Sequence, residues 1–296
     1  MTRIVAIGEC MVEMASAGAD IYRMGFAGDT MNTAWYLRRL LGEADQVDYF
    51  TAVGTDDLSD RMVTFLQDAG LGTDHIQRRR DLSVGLYTIQ LQDGERSFSY
   101  WRGQSAARSL ARDARALMSA LTQADVAYLS GITLAILPAP DRATLLRSLG
   151  EFKAAGGQVV LDPNLRPKLW EDEDTMRRVV TEAASVSDVV LPSHEDEASW
   201  FGDAAPAATA NRYASQGSAL IIVKNGAGQI LAWQDGNVSL HDPVTVSDVV
   251  DTTAAGDSFN AGFLACWFNG SSVAEAVQSG AGLAAQVVQS RGALVS

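Results

Sequence analysis

Short apolar runs rich in Val, Ile and Leu recur at residues 4–7, 47–52, 126–129, 158–161, 189–191 and 220–223, separated by longer stretches with helical periodicity. Runs without polar alternation predict strands buried on both faces. Their alternation with helices predicts an α/β three-layer sandwich around a mainly parallel sheet. Several runs end in polar or glycine residues, as at Gly8-Glu9, Asp162-Pro163-Asn164 and Lys224-Asn225-Gly226. In open α/β sheets ligands gather at the carboxyl ends of strands, so a site is expected at these exits.

Residues 84–102 follow a period of two, with VGLYTIQL and RSFSYWR on either side of QDGE. Alternation around an Asp-Gly pair predicts a β-hairpin. A two-residue loop at Asp93-Gly94 sets Ile89 against Phe98 and Tyr87 against Tyr100, with Arg102 two residues further on the same face. With residues 11–24 as a second extended pair, this predicts a small β-sheet lid standing off the main sheet. An ordinary edge hairpin packed on the core is the alternative on this pattern alone. The lid segments, about 11–27 and 84–104, then lie within one domain spanning 1–296. The Ala/Pro-rich stretch 204–210 reads as a surface loop. Gly280-Ala281-Gly282 reads as a junction of small residues between two helices, because the strand that a dinucleotide fingerprint needs before it is missing.

Composition narrows the partners. A chain of 296 residues, 47% hydrophobic, suffices for one enzyme-sized globule. A net charge of -13 and a pI near 4.6 argue against nucleic acid, whose binding relies on Lys and Arg. A few cations focused in a cleft can still draw in a small anion. Cys10 and Cys266 are too few for a disulfide framework, and His75, His194 and His241 form no metal spacing. The segment MTRIVAIGEC enters a strand-like run without a basic and apolar leader, and no run reaches the ~18 apolar residues that cross a bilayer. The expectation is a soluble, cytoplasmic protein with no membrane and no nucleic-acid partner.

The most informative stretch is Asp251-Thr-Thr-Ala-Ala-Gly-Asp257, followed by the apolar helix-like SFNAGFLAC. Small residues leading into a helix leave its first amides accessible, and the helix dipole adds positive potential there, so a phosphate can dock. Asp257 at that point could take a proton from a hydroxyl attacking the phosphate. On residue statistics alone it could as well be a first-turn acid.

DTTAAGDSFNAGF resembles the second signature of the PfkB carbohydrate kinase family, usually D-T-x-G-A-G-D-x-F, with Ala254 where the first glycine is usual. The resemblance implies a ribokinase-like fold, ATP and Mg²⁺ as cofactors, Ala255, Gly256 and Asp257 as the anion hole, and Asp257 as the base. It extends along the chain. GFAGDTMNTA at 25–34 looks like the first signature, which implies sugar contacts from Gly28, Asp29 and Asn32. Glu13 stands five after Gly8, where many relatives carry a sugar-binding Asp. DPNLRPKLW at 162–170 looks like the D-x-N-x-R-x-x-L-W strand exit, placing Asn164 toward the nucleotide and Arg166 toward substrate or phosphate. LPSHEDEA at 191–198 stands where P-N-x-x-E is usual, with Ser193 for Asn and Asp196 for Glu as the candidate near the metal. KNGAG at 224–228 resembles the K-x-G-x-x-G nucleotide loop, which implies contacts from Lys224, Gly226 and Gly228, with the second glycine one residue early.

Within that family, GECMVEM, FAGDTMNTAWYL, SYWR, LSGITLAILP and DPNLRPKLW are most similar to the branch that phosphorylates 2-dehydro-3-deoxy-D-gluconate. A sugar acid needs a cation for its carboxylate, and Arg102 and Arg166 are the candidates, with Tyr87 and Tyr100 adding hydroxyls. A family member acting on a neutral sugar, or a non-catalytic sugar-binding regulator on the same fold, is the alternative. The resemblance also implies a homo-oligomer formed through the lid sheet.

Overall fold

The computed structural model describes residues 1–18, 21–92 and 95–295. Its strands are β1 (Arg3–Ile7), β2 (Met11–Ser16), β3 (Tyr22–Ala27), β4 (Gln46–Phe50), β5 (Ala52–Val53), β6 (Gln77–Arg78), β7 (Gly85–Gln92), β8 (Glu95–Trp101), β9 (Val126–Ser130), β10 (Gln158–Asp162), β11 (Val189–Val190), β12 (Leu220–Val223), β13 (Ile230–Gln234) and β14 (Asn237–His241). The helices are α1 (Asp29–Leu40), α2 (Asp57–Asp68), α3 (Ala114–Leu121), α4 (Gly131–Ile136), α5 (Ala139–Ala154), α6 (Glu173–Ser185), α7 (His194–Phe201), α8 (Pro206–Ala214), α9 (Ala255–Phe268) and α10 (Val273–Val287).

An eight-stranded sheet runs β14-β13-β12-β11-β10-β9-β1-β4. It is parallel from β12 to β4, and β13 and β14 add an antiparallel edge. Five of the six apolar runs fall in this sheet's parallel part, and the sixth, residues 47–52, is divided between β4 of that sheet and the short β5, which pairs with β6. Alternate side chains serve two cores. Ile4, Ala6, Tyr128 and Val160 pack with α1, α9 and α10, while Val5, Ile7, Leu129 and Leu161 pack with α3, α5 and α6. Both layers are apolar because βαβ crossovers cover both faces.

The lid is a four-stranded sheet in the order β3-β2-β7-β8. Its register pairs Tyr87 with Tyr100 and Ile89 with Phe98, as the hairpin pattern predicts, while the Asp93-Gly94 turn lies outside the described residues. Glu13 on β2 lies between Gly25 and Tyr87.

Two expectations are corrected. Residues 204–210 are not all loop: α8 begins at Pro206, which suits a first helical turn because its missing N–H has no acceptor there. Gly280 and Gly282 are interior to the single helix α10, not at a junction. A Cβ on Gly280 would lie 2.7 Å from the Phe259 carbonyl oxygen, so the glycine lets α9 and α10 bring their backbones together.

Candidate active site

The carboxyl ends of β10 and β12 open on a cleft of about 880 Å³, roofed by the lid and floored by the start of α9. Ala254 precedes α9 in the left-handed region, at φ 59 and ψ 15. Asp251 shapes this loop by accepting the amides of Thr253 at 2.9 Å and Gly292 at 2.7 Å. The first-turn amides of a helix have no intrahelical acceptor. That of Ala255 turns back to the Thr252 carbonyl at 3.2 Å, so of the three amides expected to form an anion hole it is already engaged, and those of Gly256 and Asp257 stay the candidates.

Asp257 is only 9% exposed. Asn32 Nδ2 donates to its Oδ2 at 2.8 Å, and Thr33 Oγ1 donates to its carbonyl at 3.2 Å. Burial, then the neighbouring charge of Asp29, pushes the Asp257 carboxyl up to about 8, against the hydrogen bond from Asn32 and the charge of Lys224. A carboxyl tuned to that range can exchange a proton with an alcohol near neutral pH. Asn32, expected to touch sugar, thus also orients the acid.

On the lid side, Gly28 N donates to Asn32 Oδ1 at 3.3 Å, and a Cβ on Gly28 would lie 2.2 Å from the Glu9 carbonyl oxygen. Only glycine fits there. Asn164 Nδ2 donates to Asp29 Oδ2 at 2.8 Å, so Asn164, expected to face the nucleotide, also fixes Asp29. Tyr87 and Tyr100 have ring centroids 5.7 Å apart, and Phe98 stacks on Tyr100 at 6.2 Å. The Tyr87 hydroxyl donates to Glu13, which does not itself line the cleft.

The two candidate guanidiniums are already paired. Arg102 Nη2 donates to Glu9, which is 2% exposed with Oε1 lacking a partner. Arg166 Nη1 is 3.2 Å from Asp196 Oδ2. Arg102, Arg166, Asn164, Ser193, Lys224 and Gly226 all line the cleft; Gly228 does not, and a Cβ there would crowd Asn225 at 2.5 Å. Opposite the lid, Val246, Val249, Ala281 and Ala285 form an apolar wall suited to a flat ring.

Among the described residues no group of three or more His, Cys, Asp or Glu is arranged to hold a metal. Glu195 and Asp196 nevertheless line the cleft; burial raises the Asp196 carboxyl, Arg166 pulls it down, and the charge of nearby Asp162 adds to the rise. That donor set fits Mg²⁺, which keeps several waters and rides on phosphate oxygens.

Sequence reasoning assigned no site role to Thr33, Tyr128 and Asn260, and named Glu9 and Asp162 only as parts of strand exits. Asp162 stood in the quoted strand exit, and Asn260 lies three residues after Asp257, on the same helix face.

A profile of the pfkB family carbohydrate kinases matches residues 1–296. The chain is 40% identical over 299 aligned residues to a 2-dehydro-3-deoxygluconokinase of Dickeya dadantii, covering 99% of this chain and 96% of that one. It is 37% identical to the Escherichia coli K12 protein of the same name, covering 99% and 97%. A PfkB protein from Polaromonas sp. JS666 superimposes with a TM-score of 0.88 at 25% identity, covering 98% of this chain and 96% of that one. A fructokinase from Xylella fastidiosa with bound ATP gives 0.86 at 23% identity, covering 98% and 93%.

Proposed function

The chain belongs to the pfkB family of carbohydrate kinases, and we propose that it transfers the γ-phosphoryl group of ATP to the 6-hydroxyl of 2-dehydro-3-deoxy-D-gluconate. The substrate follows the names of relatives 37–40% identical over nearly the whole chain. The observation that carries the chemistry is Asp257, buried at the head of α9 on the cleft floor with its carboxyl pushed up to about 8.

In this reading Asp257 accepts the proton of the terminal hydroxyl as that oxygen attacks phosphorus. The amides of Gly256 and Asp257, with the positive end of α9, hold the phosphoryl oxygens. Lys224 adds a cation beside them. Asp29, Asn32, Tyr87 and Tyr100 bind hydroxyls, and Arg102 and Arg166 meet the substrate carboxylate with the N–H groups their partners leave over. The apolar wall of α10 and residues 244–249 takes the adenine. Glu195 and Asp196 would hold Mg²⁺, which would supply charge neutralisation for the nucleotide phosphates. Lid closure excludes water from the transfer.

A neutral acceptor is the second reading. A fructokinase of Vibrio alginolyticus is 28% identical over the full chain, and the ion pairs of both guanidiniums favour this alternative. Kinetics on the purified protein with the sugar acid, its C4 epimer, fructose and ribose decide between them. A neutral sugar with about tenfold the kcat/KM of the acid, a gap of 1.4 kcal/mol, would replace the first reading.

The free edge of β8, with Trp101 59% exposed, is the strand that would pair with a second copy of the lid. Light scattering on wild type and Trp101→Lys tests this: a monomer in wild type would refute it. No helix among the described residues is long and apolar enough to cross a membrane, and dependence on ATP suits the cytoplasm.

A further inference from the structure

A buried polar network lies beneath the cleft floor. Lys224, following β12, directs its ammonium inward, with Nζ 3.3 Å from Asp162 Oδ2 and 3.0 Å from Asn260 Oδ1. A Cβ placed on Gly256 would lie 3.7 Å from the same nitrogen, so the cation stands at the first turn of α9. Asn260 has no exposure, and both ends of its amide are engaged. Its Nδ2 donates to Asp162 Oδ2 at 2.7 Å and to the Tyr128 hydroxyl at 3.1 Å. Tyr128 in turn meets Thr33 Oγ1 at 3.1 Å, and Thr33 holds the Asp257 carbonyl. Asp162 is 4% exposed, and its Oδ1 takes the Asn164 amide at 3.1 Å.

A lysine ammonium is a point charge on a flexible four-carbon stem. Two acceptors from different elements, β10 and α9, restrict it to one place. An ammonium has three N–H donors, and with two of them engaged the third is left for a ligand oxygen in the cleft that Lys224 lines. A satisfied buried network specifies one arrangement, and phosphoryl transfer depends on charge already in place. Asn260 belongs to the same helix as Asp257, so the geometry couples the position of the cation to that of the acid.

We propose that Asp162 and Asn260 are positioning residues for phosphoryl transfer, holding the Lys224 ammonium at the first turn of the helix that carries Asp257. The proposal rests on the kinase reading of the cleft. It assigns a task to Asn260, which does not line the cleft, and to Asp162, which lines it with its Oδ2 engaged by Lys224 and Asn260.

Steady-state kinetics with MgATP and 2-dehydro-3-deoxygluconate test it on Asp162→Asn, Asn260→Asp and the double variant. Asn260→Asp sets two carboxylates against each other and should lower kcat roughly 30-fold, with the acceptor KM within about twofold. Asp162→Asn keeps the shape and the acceptor for Asn164 but removes the counter-charge, and should lower kcat about tenfold. The double variant exchanges amide and carboxylate, restoring both the hydrogen bond and the net charge, and should run about tenfold faster than Asn260→Asp alone. A merely structural role would lower the melting temperature and the folded fraction without this reciprocal rescue. Folded Asp162→Asn with kcat within about threefold of wild type, or a double variant no faster than Asn260→Asp, would overturn the proposal. If Asn260→Asp does not fold, a double variant that folds and outpaces Asp162→Asn supports the pairing, and one that does not overturns it. A wild-type protein without phosphoryl transfer to any acceptor would overturn the kinase reading and this proposal together; an active wild type with unmoved variants overturns this proposal alone.

Discussion

Replacing Asp257 with Asn should cost activity and add stability, and the stability gain should grow with pH. The Asp257 carboxyl is raised from 3.8 to about 8, chiefly by burial and by Asp29. Between those values the folded protein holds a proton that the unfolded chain has released. Stability therefore falls as pH rises through this window, by 1.36 kcal/mol per unit, with a ceiling of about 6 kcal/mol. Water entering the open cleft relaxes that penalty, and a gain on the order of 2 kcal/mol between pH 5 and pH 8.5 is the working figure. For 296 residues the entropy of unfolding is about 0.6 kcal/mol per kelvin, so the melting-temperature gap between variant and wild type should widen by about 3 °C over that range. Asn can still accept the Asn32 amide through Oδ1, so the gap reports charge rather than a lost contact. In turnover, wild-type kcat/KM should rise with pH up to about 8 as the base ionises, while the variant loses this limb and roughly 10²-fold or more in kcat. A gap independent of pH, together with kcat within tenfold of wild type, would remove Asp257 from the chemistry and its burial penalty from the energetics.

Other perturbations separate neighbouring roles. Arg102→Ala leaves the buried Glu9 carboxylate unpaired and should cost about 3 kcal/mol of stability while raising KM for the acid far more than for a neutral sugar; adding Glu9→Gln should restore stability in thermal melts but not the acid KM. Ala254→Gly should relieve the left-handed strain at φ 59 and stabilise by about 0.5–1 kcal/mol after the entropy of the unfolded chain is counted, seen as a small rise in melting temperature; a fall would show that the loop does not carry that strain. Arg212 pairs with the fully buried Glu197 at 2.5 Å and with Asp203 at 2.7 Å, and burial pushes Glu197 up to about 7. Arg212→Met should destabilise by about 3–5 kcal/mol at pH 8 and less at pH 6, where Glu197 takes up a proton; denaturant melts at both values check the direction.

The parallel sheet was legible because both faces of its strands are buried, which leaves unbroken apolar runs such as 4–7 and 220–223. The lid hairpin was legible because its turn and its alternation set one register. The edge strands β13 and β14 escaped notice: ILAWQ and NVSLH alternate weakly, and most of β14 is exposed. Helix α8 was hidden by a composition that suits loops as well as helices, and α10 by glycines whose purpose is contact with another helix. Motif residues at the site came from signatures, but their partners did not. Glu9 and Arg102 are 93 positions apart, and Asp162 and Asn260 are 98 apart. Such pairs follow from strand order, which local pattern does not specify.

The balance of charge around the cleft accounts for the state of the acid before substrate arrives. Asp29, Asp162, Asp196 and Asp257 face Arg166 and Lys224, while Arg102 is already balanced by Glu9. With Glu195 there are five carboxyls against two cations, so repulsion falls when one buried member keeps a proton, and Asp257 is the one pushed up to about 8. In that form it cannot take a proton from stray water. Lys224 and the positive end of α9 favour the ionised form instead, and their pull strengthens as the closing lid removes solvent. Drying the cleft also raises the cost of a bare carboxylate, so ionisation on closure depends on a cation fixed beside it, which is why the placement of Lys224 matters alongside the burial of Asp257.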